Sequence, residues 1–300
     1  MTLHEESPSV AVNAEETEKT AKDRWAQTWR RFSKNKGAVI GAAVALSMVL
    51  VAILAPVLSP HDPVKSTLSD SLTPPSRQFL MGTDQLGRDI LTRIIYGSRI
   101  SLTVGLVVQG ISITIGTTVG LLSGYLGGRV DDVLSGVINI VYAFPSLLFA
   151  IAVLAVLGPG MYNVFIALGL VGWATVARLV RGEVLSLKER EFVEAARALG
   201  GNNWRIVVRH ILPNCFGPII VVGTLGVANA ILSEATLSFL GLGTRPPTPS
   251  WGSMLSQGRE FVWSAPWMTI FPGLAIFVTI LGLNMLGDGL RDVLDPRLRQ

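Results

Sequence analysis

The chain has 300 residues, of which 15% are charged and 49% hydrophobic, and its mean hydropathy of +0.49 excludes an ordinary soluble domain, in which about a quarter of residues are charged. The single cysteine, Cys215, excludes an internal disulfide bond and a cysteine-based metal cluster, and the three histidines lie far apart, so we predict no metal site. The net charge of +4 is small, and its uneven distribution indicates membrane topology rather than nucleic-acid binding.

The first 36 residues are predicted to form a tail. Residues 1–22 are rich in Glu, Ala and Thr, which predicts disorder. Trp25, Trp29 and Phe32 recur at helical spacing among basic residues. This pattern is typical of a helix on a membrane surface, and an ordinary basic flank is an equal alternative.

Apolar runs longer than the roughly 18 residues that mark a membrane-spanning helix recur along the rest of the chain. They predict an all-α membrane protein with six spans, at residues 37–58, 100–125, 134–157, 161–180, 215–240 and 267–289. Gly120 and Gly124 in the second span have the spacing that allows two membrane helices to approach closely, although such pairs are common in Gly-rich helices.

Two long connections join these spans. The first, residues 59–99, contains several prolines and ends in apolar residues at 90–95 that share one helical face. They predict a short helix that rests on the bundle. The second connection, residues 241–266, is rich in Pro, Gly and Trp. Its prolines exclude a regular helix where they occur, and its tryptophans are typical of a membrane–water boundary.

A polar stretch at residues 182–213 lies between the fourth and fifth spans. Its first part, from Val184 to Leu199, contains good helix formers without Gly or Pro. Gly200 supplies the positive φ that ends a helix, and either Asn202 or Asn203 can cap the next one, which Pro213 is predicted to end. The sequence therefore predicts two short helices held at an angle, either as a docking element or as a simple connector.

The orientation of the spans follows from the basic residues. More than twice as many Lys and Arg residues lie in the tail segments and in connections such as 182–213 as lie in the connections on the other side. Because basic residues concentrate in cytoplasmic segments, both termini are predicted to be cytoplasmic. Residues 182–213 are then cytoplasmic too, and 59–99 and 241–266 lie on the outer side.

The polar stretch also carries a family signature. The order Glu-Ala-Ala, three residues, Gly, and later Leu-Pro resembles the coupling loop of bacterial ABC-transporter permeases of the importer type. The residues that carry this resemblance, and to which we assign coupling to an ATPase, are Glu194, Ala195, Ala196, Arg197, Gly200 and Pro213.

The resemblance extends along most of the chain. Residues 34–60, 81–89, 233–243 and 287–297 are similar to the C-type permease subunit of dipeptide, oligopeptide and nickel importers. This resemblance implies a type I permease fold, with a permease domain at residues 100–290 that follows a first helix and outer connection at 37–99. Residues 291–300 would form a second cytoplasmic tail.

The family also implies partners and a mechanism. The chain would pair with a homologous B-type permease, receive peptides or a related small ligand from an extracytoplasmic binding protein, and bind two ATPase subunits. ATP and Mg would be held by those subunits, so this chain would be neither an enzyme nor the holder of a cofactor. It carries no Walker motif of its own, because the dipeptide Gly-Lys does not occur. Its location would be the bacterial inner membrane.

Polar residues inside predicted spans are candidates for the translocation path. Asn139 and Asn229 either line that path or bond across helices. Glu234 either lines it or lies at the interface, where it is hydrated or paired with Arg245 or Arg259, and we favour the interface. The alternative functions are a stand-alone secondary transporter driven by an ion gradient and a membrane enzyme. The spans contain neither a proton relay nor a cluster of catalytic residue types.

Overall fold

The computed structural model describes residues 29–294 of the chain. Within that range residues 29–34 are helical, and the rings of Trp29 and Phe32 stack with their centroids 5.9 Å apart. Trp25 and the stretch predicted to be disordered, residues 1–22, lie outside the described residues.

The predicted all-α class is confirmed by a bundle of helices whose bounds follow from caps and breaks in the sequence. In chain order the helices are α1 (Lys36–Ile53), α2 (Ala55–Leu58), α3 (Ile90–Leu126), α4 (Gly128–Ala143), α5 (Ser146–Leu157), α6 (Met161–Leu187), α7 (Glu191–Ala198), α8 (Asn203–Ile206), α9 (Leu212–Phe239), α10 (Trp251–Gly258) and α11 (Trp267–Leu294). Short 3₁₀ turns occur at Leu68–Asp70 and Arg259–Phe261.

Five helices are long and apolar enough to cross a membrane, and α4 with α5 makes a sixth crossing if this bent pair counts as one. The span predicted over residues 134–157 is not one continuous helix, because α4 and α5 meet at 90°. Phe144 is extended there (φ −96°, ψ 134°), since a proline follows it and disfavours the helical conformation in the preceding residue.

Helix α3 is longer than the predicted second span. It begins at Ile90, after the Asp89 carboxylate accepts a hydrogen bond from the Thr92 amide at 2.9 Å, and runs for 37 residues. The separate short helix predicted at 90–95 is therefore wrong, and its apolar residues form the first turns of α3. Ile90 and Ile95 are buried there, as the shared apolar face predicted.

Close contact between α3 and α6 depends on small residues. A Cβ atom at Gly120 would lie 2.6 Å from the carbonyl oxygen of Ala177 and 2.8 Å from the Cβ of Val180. Gly116 and Gly124 have equally close neighbours one turn to either side along α3. Since lipid provides no hydrophobic force that joins helices, this backbone approach is what allows α3 and α6 to pack along much of their length.

Buried charges fix the connection that precedes α3. Asp84 accepts a hydrogen bond at 2.7 Å from Nε of Arg88, and Nε of Arg93 lies 3.6 Å from the same carboxylate oxygen. All three side chains are almost fully buried. Arg88 also donates to Gln257 of α10 at 3.1 Å, and Arg93 donates to the Pro63 carbonyl at 3.0 Å. Asp84 therefore joins the connection, α3 and α10.

A second ion pair joins α4 to α6. Arg181 donates two hydrogen bonds to Asp131, at 2.6 and 2.7 Å, and this two-point geometry fixes the angle of the pair. Ser123 and Ser135 also donate to the Asp131 carboxylate. The N-terminal part of α4 is thus held against α6 and the end of α3.

We expect Asp131→Asn to lower the free energy of unfolding by about 2 kcal/mol, because an amide cannot accept both hydrogen bonds from a charged guanidinium. Thermal unfolding of the detergent-solubilised chain measures this loss. Asp132→Asn is the matched control, since Asp132 is exposed and has no ion pair within 4.0 Å among the described residues. Equal unfolding midpoints for the two variants would contradict the prediction.

Candidate functional site

The stretch at residues 182–213, here called the coupling loop, begins with an unexpected break. The continuous helix predicted from Val184 to Leu199 is wrong, because α6 ends at Leu187 and α7 begins at Glu191. The chain turns back between them, with Arg190 extended (φ −82°, ψ 144°). The turn places Val193 of α7 in a buried cluster with Val184 and Ile211.

The corner after α7 forms as predicted. Gly200 has a φ of +81°, which a side chain would strain, and its amide donates to the Arg197 carbonyl at 3.0 Å. The Gly201 amide donates to the Ala196 carbonyl at 3.0 Å, so the last turn of α7 is closed by backbone hydrogen bonds. Of the two candidate caps, Asn202 is the one that accepts from the Trp204 amide, at 3.2 Å.

The second helix of the loop does not end at Pro213. Helix α8 continues through a π-helical turn, Val207–Ile211, directly into α9, so the predicted stop is wrong. The Leu212 amide donates to Val207, five residues back, and this wider turn accommodates a proline that has no N–H of its own. The loop is therefore continuous with a membrane-spanning helix.

One face of α7 is apolar and exposed. Phe192, Ala195 and Leu199 share this face at helical spacing, and Leu199 is 89% exposed. The Glu194 side chain is exposed on the same short helix, and within residues 29–294 it forms no ion pair. An exposed apolar face on a fixed corner is suited to contact another protein.

A cavity of about 630 Å³ lies between α3, the α4–α5 bend, α6 and α9. Its polar lining side chains are Gln109, Ser112, Tyr142, Ser146, Thr175, Asn229 and Ser233. Asn229, one of the three path candidates, lines this cavity, and its role in translocation stays a prediction. The mixed polar and apolar lining suits a small polar ligand that also carries apolar groups.

The other two path candidates lie elsewhere. Asn139 is outside the cavity lining, and its Oδ1 accepts from Arg178 at 3.1 Å, so it bonds across helices α4 and α6. Glu234 is 1% exposed and accepts from Ser238 at 2.6 Å and from Ser250 at 3.0 Å. Glu234 therefore joins α9 to the start of α10. It is buried from water and, among the described residues, pairs with no arginine, so the favoured interface position is wrong.

A group of residues at one end of the cavity was not predicted from the sequence. The guanidinium of Arg178 lies 3.8 Å from the ring centroid of Tyr142, and the Tyr142 hydroxyl donates to Thr175 at 3.1 Å. A signal existed: polar residues recur three apart on α4 and again on α6, which places each pair on one helical face. Which helices face each other could not be read from the sequence.

Two family models match this chain. The model described as binding-protein-dependent transport system inner membrane component matches residues 116–300. The model of the N-terminal TM domain of oligopeptide transport permease C matches residues 23–75. The first match begins within α3, and the predicted domain boundary at residue 100 stays a prediction.

Curated relatives align along nearly the whole chain. The dipeptide transport system permease protein DppC of Alkalihalophilus pseudofirmus is 47% identical, with 95% of this chain and 93% of the relative covered. The glutathione transport system permease protein GsiD of Pectobacterium atrosepticum is 43% identical, with 94% of each covered. The oligopeptide transport system permease protein OppC of Bacillus subtilis is 41% identical, with 99% and 98% covered.

Solved structures support the fold. A chain of the MetNI methionine ABC transporter, in an inward-facing conformation, superposes with a TM-score of 0.55 over 68% of this chain and 97% of that chain, at 19% identity. At that identity the likeness concerns the fold alone, and it agrees with the predicted type I permease architecture. On the family match and the relatives together, the chain belongs to the binding-protein-dependent transport system inner membrane components and is a multi-pass inner membrane permease.

Proposed function

We propose that this permease is one half of the membrane channel of an ATP-driven importer for dipeptides or oligopeptides. The named relatives carry dipeptide, oligopeptide and glutathione transport, all of which concern peptides or a peptide-like molecule. The single observation that carries the proposal is the coupling loop, which exposes an apolar face on a glycine corner and continues into a cavity-lining helix. An ion-gradient transporter has no need of such a loop, and family membership does not support one.

The proposed partners would contact the exposed loop and the cavity. The loop would dock into one of two separate ATPase subunits, which would hold ATP and Mg, and we propose that it faces the cytoplasm together with both termini. A homologous B-type permease would complete the wall of the cavity. An extracytoplasmic binding protein would deliver the ligand to the opposite end. No enzymatic activity is proposed for this chain.

Coupling requires that the ATPase contact the loop differently in its two states. Within α7 the assigned residues have distinct roles in this proposal. Ala195 and Ala196 have small side chains, so a partner can approach the helix backbone closely. Glu194 and Arg197 offer charges at its edge, and Gly200 fixes the direction of the next helix.

We expect Leu199→Glu to abolish or reduce by at least tenfold the ATP-dependent uptake of a labelled dipeptide, because it places a charge in the centre of the proposed contact. The side chain is 89% exposed, so the fold of the isolated chain should not change. Co-purification with the ATPase subunits and uptake into proteoliposomes provide the measurements.

Leu199→Met is the matched control, since it keeps an apolar side chain of similar volume and should retain uptake. Both variants should unfold at the wild-type temperature in detergent. Normal uptake and normal ATPase recovery with Leu199→Glu would show that this face does not bind the ATPase.

A further inference from the structure

One cation beside the cavity has no acidic partner within the described part of the chain. Arg178 of α6 is exposed, and no carboxylate lies within 4.0 Å of it among residues 29–294. Its Nη2 donates to Asn139 at 3.1 Å, and its guanidinium stacks on Tyr142. Arg181, one turn further along α6, differs because Asp131 already accepts two hydrogen bonds from it.

Arg178 lies one helical turn beyond residues that line the cavity. Thr175, one turn before it on α6, and Tyr142, on which it stacks, both line the cavity. Arg178 is the eighteenth residue of α6, about 26 Å along the helix axis from Met161. A hydrocarbon core is about 30 Å thick, so the guanidinium lies near the membrane face on which the coupling loop is found.

The surroundings orient this guanidinium and leave donors unused. A guanidinium has five N–H groups in a planar fork, and Asn139 accepts one of them in this structure. The ring of Tyr142 covers one face of the plane, and the Tyr142 hydroxyl is held by Thr175. An arginine whose plane is fixed on an aromatic ring presents its remaining donors in that plane, and two neighbouring donors can bind one carboxylate by two hydrogen bonds.

We infer that Arg178, oriented by Tyr142 and Asn139, binds the free carboxylate of the transported ligand at the coupling-loop end of the cavity. The ligand class is a small molecule with a terminal carboxylate, as in an unmodified peptide. This inference rests on the proposed function, because it assumes that the cavity is part of the path. It adds a residue that selects by charge and that was not among the path candidates.

The test compares a peptide with and without its carboxylate. Equilibrium dialysis with the purified permease–ATPase complex, without the binding protein, measures the affinity for labelled alanyl-phenylalanine and for its C-terminal amide. We expect the wild-type complex to bind the free acid at least tenfold more tightly than the amide, and Arg178→Gln to remove this preference. Arg178→Lys should keep part of it, since the charge stays but the planar fork is lost.

The control is Arg129→Gln, which removes an exposed cation from the start of α4 and should keep the full preference. An unchanged preference in Arg178→Gln would overturn the inference. An equal loss of affinity for acid and amide would also overturn it, because that result indicates a purely structural role. Uptake of alanyl-phenylalanine by wild-type proteoliposomes tests the proposed function separately, and its absence would reject that function whatever the binding data show.

Discussion

Replacing Asp84 by asparagine is expected to lower the free energy of unfolding by about 3–5 kcal/mol, because it leaves two buried guanidinium groups without a carboxylate. Asp84 also accepts hydrogen bonds from the backbone amides of Leu86 and Arg88, at 2.9 and 3.0 Å, so the turn before α3 depends on it as well. An asparagine keeps one oxygen acceptor but neutralises the charge that Arg88 and Arg93 share.

Thermal unfolding in detergent, followed by tryptophan fluorescence, measures the effect of the Asp84 substitution. Trp267 donates to the Thr83 carbonyl at 3.0 Å, so a reporter lies beside the cluster. Asp62→Asn is the matched control, since Asp62 is exposed and accepts hydrogen bonds from the nearby backbone amides of Val64 and Lys65. It should change stability by about 0.5 kcal/mol or less. A wild-type midpoint for Asp84→Asn would show that the arginines do not need this carboxylate.

Replacing Gly120 by leucine is expected to separate α3 from α6 and to cost about 3 kcal/mol or more. The neighbours that a Cβ would meet are backbone or Cβ atoms: the carbonyl oxygen of Ala177 at 2.6 Å, the Cβ of Val180 at 2.8 Å and the amide nitrogen of Arg181 at 3.0 Å. None of these atoms can move without shifting α6 itself. The shift would also disturb the ion pair between Arg181 and Asp131.

The yield of monodisperse chain after size-exclusion chromatography and its unfolding midpoint report this loss. Gly110→Leu is the control in the same helix, because no described atom outside its own helix backbone lies within 4 Å of a Cβ built at Gly110. We expect that variant to express and unfold like the wild type. Similar behaviour of the two variants would mean that helix propensity, rather than the close crossing, determines the outcome.

Local chemistry explains which parts of the coupling loop could be predicted. The corner at Gly200 needs only a residue that tolerates positive φ, so the sequence predicts it directly. The break before Glu191 contains no glycine or proline, so residue type does not mark it. In the structure the break accompanies the burial of Val193 against the bundle. Pro213 looks like a stop in isolation, and only the π-helical turn before it makes the continuous helix possible.

The residues around the cavity also differ in how far they could be predicted from the sequence. The bend at Phe144 could have been predicted from the proline that follows, but the length of the apolar run favoured one span. Asn229 is identified by type alone, as a polar residue within an apolar helix. Glu234 could not be placed from the sequence, because one of its donors is Ser250, sixteen residues away at the start of α10. The contacts of Arg178 could not be predicted, because they depend on α4 packing beside α6.

The uninterrupted helix from Asn203 to Phe239 has a mechanical consequence. It contains 37 residues and is about 55 Å long at 1.5 Å per residue. As a lever pivoting about its midpoint, it would move either end by about 5 Å for a tilt of about 10°. A displacement of the helix at Trp204 would thus move the Glu234–Ser250 contact near its other end. Bending at the π-helical turn and at Pro218 would reduce that movement.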